Sequence, residues 1–118
     1  MNRPPNRRSY WVPNTNVFIS TKGQLIIKVE LSGMTSTGLE IAAEGNKLRI
    51  AGNRNDPDEE GAAQTLVAEI NNGPFESELE LPPEYDVTSA SSHYLNGVLR
   101  IVIPRRSSAK QATDSFPE

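Results

Sequence analysis

Few side chains in this sequence could do chemistry. His93 is the only histidine among 118 residues and cysteine is absent, so a nucleophilic triad has one candidate base and no thiol to activate. His93 falls where alternate residues already fill strand positions, which favours a structural or solvent-exposed imidazole. Zinc needs several His or Cys ligands, and the chain cannot supply them. In Asp56-Pro57-Asp58-Glu59-Glu60 the acids are adjacent, without the one-three-five spacing and closing Glu of a calcium loop, and they read as a solvated segment kept open by like charges. Gly33, Gly38 and Gly45 are separated and none precedes a helix, so no phosphate-cradling loop is present. Every Glu run fits the outer face of a strand, which leaves no identifiable glycosidase pair. The expectation is a protein that is not an enzyme and takes no cofactor and no metal.

Bulk properties narrow the partners. The net charge of −3 gives no global positive field, and the aromatic residues are not interleaved with a basic face, so no nucleic acid partner is expected. Arg3, Arg7 and Arg8 sit among Pro and Asn and read as a solvated arm. No apolar run approaches the roughly 18 residues of a membrane span, and the first 30 residues lack a signal-peptide core. Together with the lack of cysteine, this leads to the expectation of no membrane insertion and a cytoplasmic location.

Without a reactive centre, the elements themselves carry the reading. Asn96-Gly97 can take positive φ cheaply and opens Val98-Leu99-Arg100-Ile101-Val102-Ile103, which Pro104 ends. Leu99, Ile101 and Ile103 share one face, and Val98 and Val102 make the other apolar too. Residues 24–31 alternate, with Leu25, Ile27, Val29 and Leu31 inward and Ile26 breaking the pattern. Phe75, Leu79 and Leu81 alternate with glutamates, Ser77 being a weak inward member. Shorter strands are expected at 17–19, 39–43, 48–51 (ended by Gly52), 65–70 and 87–95, with 53–64 a polar loop. Eight or so short strands without an amphipathic helix predict an all-β, immunoglobulin-like antiparallel β-sandwich. The domain is expected over residues 11–106, between a flexible arm at 1–10 and a flexible tail at 107–118.

The chain resembles the α-crystallin domain of small heat-shock proteins, bacterial and plant type, over most of its length. The residues that carry this are Trp11-Val12-Pro13, Val29-Glu30-Leu31-Ser32-Gly33-Met34, Leu48-Arg49-Ile50-Ala51-Gly52-Asn53-Arg54, Gly73-Pro74-Phe75, Leu81-Pro82 and Asn96-Gly97-Val98-Leu99. Each is weak alone, but their order and spacing are specific. The resemblance implies an ATP-independent holdase that captures unfolding client proteins. It implies a homodimer, in which a long loop carries an extra strand to the partner's sheet. Thr65, Leu66, Val67, Ala68, Glu69 and Ile70 are that strand, expected to pair near residues 11–20 of the partner; the competing arrangement is a hairpin with 75–81 of the same chain.

Departures from the family pattern shape the expectation further. The tail Ile-x-Ile motif that docks into a neighbouring dimer is missing, since residues 105–118 contain no Ile, Val or Leu. Ile101-x-Ile103 has the letters but lies inside the last strand. The receiving groove, Ile41 and Ala43 on one strand and Val87, Ser89 and Ser91 on the other, has lost large apolar groups worth about 1–3 kcal/mol each when buried. Ser77 stands where many relatives have Arg, removing any charge pair built there. The expected state is therefore a dimer or small oligomer. The alternatives are a CS-domain-like co-chaperone binding a larger chaperone, which would lack the exchanged strand, and an adhesion or carbohydrate-binding sandwich, which would want exposed aromatics clustered on one face.

Overall fold

Seven strands, β1 (Thr15–Ile19), β2 (Leu25–Glu30), β3 (Leu39–Glu44), β4 (Lys47–Arg54), β5 (Gly73–Glu80), β6 (Ser91–Leu95) and β7 (Val98–Ile103), form the computed structural model, which describes residues 10–107. They make two antiparallel sheets, ordered β1-β2-β7-β6 and β3-β4-β5. The period of two sends Leu25, Ile27 and Val29 inward, and the register sets them opposite Ile103, Ile101 and Leu99. Leu48, Ile50 and Phe75 come from the facing sheet, and Leu31, Leu81, Tyr85 and Val87 complete the buried cluster. Each such side chain contributes about 1.5–3 kcal/mol by burial, so this cluster holds the layers together. Ser77 is buried opposite Ile50, an inward position as the alternation required. Ile26, the residue that breaks the alternation of β2, is buried on the outer face between Phe18 and Val102.

Asn96 (φ 54°) and Gly97 (φ 81°) form the tight hairpin between β6 and β7, as their types demanded. Trp11 closes one side of the sandwich. Its backbone makes a parallel bridge to Phe75, with hydrogen bonds from Trp11 N to Pro74 O (3.2 Å) and from Glu76 N to Trp11 O (3.1 Å). The two rings pack at 5.2 Å, tilted by 55°.

In the single chain, residues 65–70 are irregular and exposed throughout. The structure corrects three expectations. Val87-Thr88-Ser89 is a 3-10 turn, and the strand expected over 87–95 begins only at Ser91. Gly52 does not end β4. It lies within the strand because a Cβ there would come to 2.5 Å from Gly38 O and 2.6 Å from Phe75 Cζ, so the glycine permits close packing instead. The loop after β4 contains a single helical turn, α1 (Pro57–Glu60), capped by the Asp56 carboxylate accepting from Asp58 N at 3.1 Å, with Pro57 at the first position. The arm expected at 1–10 and the tail at 107–118 lie outside the described residues except for Tyr10 and Ser107.

Candidate functional site

The loop between β4 and β5 leaves the sandwich through a neck built by Arg54. Its guanidinium stacks 4.5 Å from the centre of the Trp11 ring. Nε and Nη2 both donate to Asn71 O, at 3.1 and 2.6 Å, and Nη1 donates to Ser32 O at 3.2 Å. One side chain at the end of β4 thus grips the returning end of its own loop, the turn after β2 and the aromatic plug. Beyond the neck, Asn72 Nδ2 donates to Glu59 Oε1 at 2.6 Å, tying α1 to the loop's return.

Thr65, Leu66, Val67, Ala68, Glu69 and Ile70 project past this neck. Leu66 is 84% exposed, Val67 75% and Ile70 73%, and among the described residues none of the six pairs with a strand. The hairpin with β5 does not form, because the neighbours of β5 are β4 and the Trp11 bridge. A cleft of about 330 Å³ at the neck is lined by Trp11, Val12, Asn14, Arg54, Ile70 and Asn71, among others, so the loop leaves beside the segment that leads into β1.

Among the described residues, β1 is the outermost strand of its sheet and pairs with β2 alone. Val17, Phe18 and Ile19 are between 44% and 58% exposed, apolar on both faces of a strand whose outer backbone groups carry no partner strand among the described residues. Among the described residues, an apolar edge strand and an apolar segment outside any strand therefore occur on the same molecule.

The second predicted site joins the open edges of the two sheets, where β3 faces the turn before β6. Ile41 and Val87 both reach the core, Ile41 half-buried against it and Val87 within it at 1% exposure, so Val87 forms the floor and offers no surface of its own. Ala43, Ser89 and Ser91 are exposed. Ser89 Oγ and Thr88 Oγ1 each donate to the Asp86 carboxylate at 2.7 Å, which shapes the turn. These hydrogen bonds, that from Thr88 foremost, with Arg106 nearby, hold the Asp86 carboxyl below its ordinary pKa. Sequence reasoning missed the neck. Its only advance signal was a cation ending β4 and an aromatic side chain just before β1.

On the outer face of the three-stranded sheet, Arg49 Nε bonds Glu76 at 2.5 Å and Nη1 bonds Glu40 at 3.4 Å, raising the arginine further above its ordinary value through the Glu76 bond. That cluster is an ion-paired sheet face. Among the described residues no three His, Cys, Asp or Glu side chains gather as metal ligands, and no helix is long and apolar enough to cross a membrane.

The Hsp20/alpha crystallin family model matches residues 18–115. The chain belongs to that family. Small heat shock protein C2 of Rickettsia felis is 25% identical over 99 residues, covering 84% of this chain and 64% of that protein. The 18 kDa antigen 2 of Mycobacterium avium is 30% identical over 87 residues, covering 74% of this chain and 62% of the antigen. The chain thus spans less than two thirds of the length of these curated relatives. Among solved structures, a small heat-shock protein from Xylella fastidiosa, described as having a distinct high order structure, superposes with a TM-score of 0.74 at 23% identity over 92% of this chain and 93% of that one. HspA from Xanthomonas axonopodis gives 0.73 at 25% identity, covering 81% and 95%. The sandwich is the α-crystallin fold, and the family is one of small heat-shock chaperones, not enzymes.

Proposed function

We propose that the chain is an ATP-independent holdase of the cytoplasm that binds partly unfolded proteins and limits their aggregation, acting as a homodimer or small oligomer. The observation that carries this is the presence on one chain of an apolar edge strand, β1, and an exposed apolar loop segment, residues 65–70. Residues 65–70 of one copy add to β1 of the other, and the reciprocal addition covers both edges, a two-fold exchange. Exposed apolar surface at the sandwich edges takes up the matching surface of a destabilised client, and mass action then holds the aggregating species down. The groove of Ile41, Ala43, Ser89 and Ser91, floored by Val87, is shallow and poor in large apolar groups. It docks a partner weakly, which favours small assemblies.

The co-chaperone reading is disfavoured by the long loop with its unpaired apolar segment, which a monomeric adaptor does not need. The test is light scattering of a heat-labile model protein with this chain in several-fold molar excess and no ATP. Suppression of aggregation is the expected result. An unchanged scattering trace would overturn the holdase function.

A further inference from the structure

Residues 63–71 leave the sandwich with almost nothing holding them. All are exposed. Among the described residues, the hydrogen bonds that reach this stretch are the two from Arg54, whose Nε and Nη2 donate to Asn71 O at 3.1 and 2.6 Å. That hold falls directly after Ile70, the last residue of the apolar segment. The rest of the same guanidinium is spent on the scaffold. Nη1 donates to Ser32 O at 3.2 Å, just past β2, and the charged plane lies 4.5 Å from the centre of the Trp11 ring, just ahead of β1. Trp11 is fixed in turn by Nε1 donating to Gly73 O at 3.1 Å and by its backbone bridge to Phe75.

Resting on the strand exchange just proposed, we infer that Arg54 is its positioning residue, a latch that sets where the loop segment leaves its subunit relative to the edge strand of that same subunit. Arg54 belongs to neither the segment nor β1 and acts through Asn71 and Trp11. With the latch made, the end of the segment is anchored before a second copy arrives, and fewer residues must be ordered on association. With the latch open, Asn71 and Asn72 join the free loop and their ordering opposes association. The chemistry requires arginine. Two donors to one carbonyl, a third to another and a flat cation on an indole need the planar fork, whereas a lysine ammonium is a point donor that can satisfy one of these. Among the described residues Arg54 forms no ion pair, so the latch rests on two backbone carbonyls and one ring.

The latch is tested first without association. In a Leu66→Ser, Ile70→Ser background, adding Arg54→Lys should lower the backbone order parameter of Asn71 in ¹⁵N relaxation from about 0.85 to below about 0.6, and change the emission of Trp11, the only tryptophan. In the otherwise wild-type chain, Arg54→Lys should raise the homodimer dissociation constant about tenfold, the cost of ordering roughly one further residue. Trp11→Phe keeps a ring against Phe75 but loses the indole N–H and the better cation platform, so it should weaken the dimer as well. The double variant should then bind no worse than Arg54→Lys alone, because both substitutions open one latch. An Asn71 order parameter unchanged by Arg54→Lys, or losses that multiply across the two substitutions, would overturn the latch. If Arg54→Lys leaves the dissociation constant unchanged while Leu66→Ser, Ile70→Ser raises it, the positioning role falls and strand exchange stands. A monomeric wild type removes both.

Discussion

Replacing Leu66 and Ile70 together by serine separates the cost of association from the cost of folding. Both side chains already face solvent, at 84% and 73% exposure, so the isolated subunit gives up almost no buried surface. Full burial of a Leu or Ile is worth about 1.5–3 kcal/mol, and an added edge strand covers roughly half of each. With both residues on both copies, four side chains lose that contribution, about 3–6 kcal/mol per dimer. The dissociation constant should therefore rise by about 10²–10⁴-fold. Sedimentation equilibrium over a concentration series measures this directly. Thermal unfolding of the subunit, followed by near-UV dichroism at concentrations where both proteins are monomeric, should give the same midpoint for variant and wild type. An unchanged dissociation constant with an unchanged midpoint would refute the reasoning, because these side chains would then not be buried between copies.

Two further outcomes test the scaffold. Gly52→Ala should destabilise the fold by about 1–3 kcal/mol in thermal denaturation, because the new Cβ meets Gly38 O and the Phe75 ring at distances real side chains do not tolerate. Asp86 has a depressed pKa in the folded chain, so its stabilising contribution is present above the ordinary carboxylate pKa and is lost as pH falls through the lower folded value. Asp86→Asn should accordingly unfold at a lower temperature than wild type near neutral pH, and the difference should shrink on acidification. A constant gap across that range would contradict the assignment.

What the sequence revealed depended on whether a segment's fate is settled locally. β2 and β7 were legible because their alternation is set by their own residues and both are buried. The register of β5, Ser77 included, followed from the same period of two. Residues 65–70 carry β-favouring side chains, but a strand forms only where a ladder accepts it, and among the described residues of their own chain none does. In Asp86-Val87-Thr88-Ser89 two hydroxyls in reach of one carboxylate outcompete the ladder, a turn signal that was present and outweighed by Val87. Asp56-Pro57 likewise carried a helix-start signal hidden within an acidic run. The Arg54 neck was beyond reach, since it unites residues from four separate parts of the chain.

The account turns on whether two copies hold one another through these segments. Light scattering coupled to size-exclusion chromatography measures the mass in solution of the wild-type chain. It should give twice the 13.0 kDa of the single chain, or a small multiple of that dimer. A mass of one chain at micromolar concentration would contradict it, and a stable assembly of 12 or more chains would contradict the small-oligomer state drawn from the shallow groove.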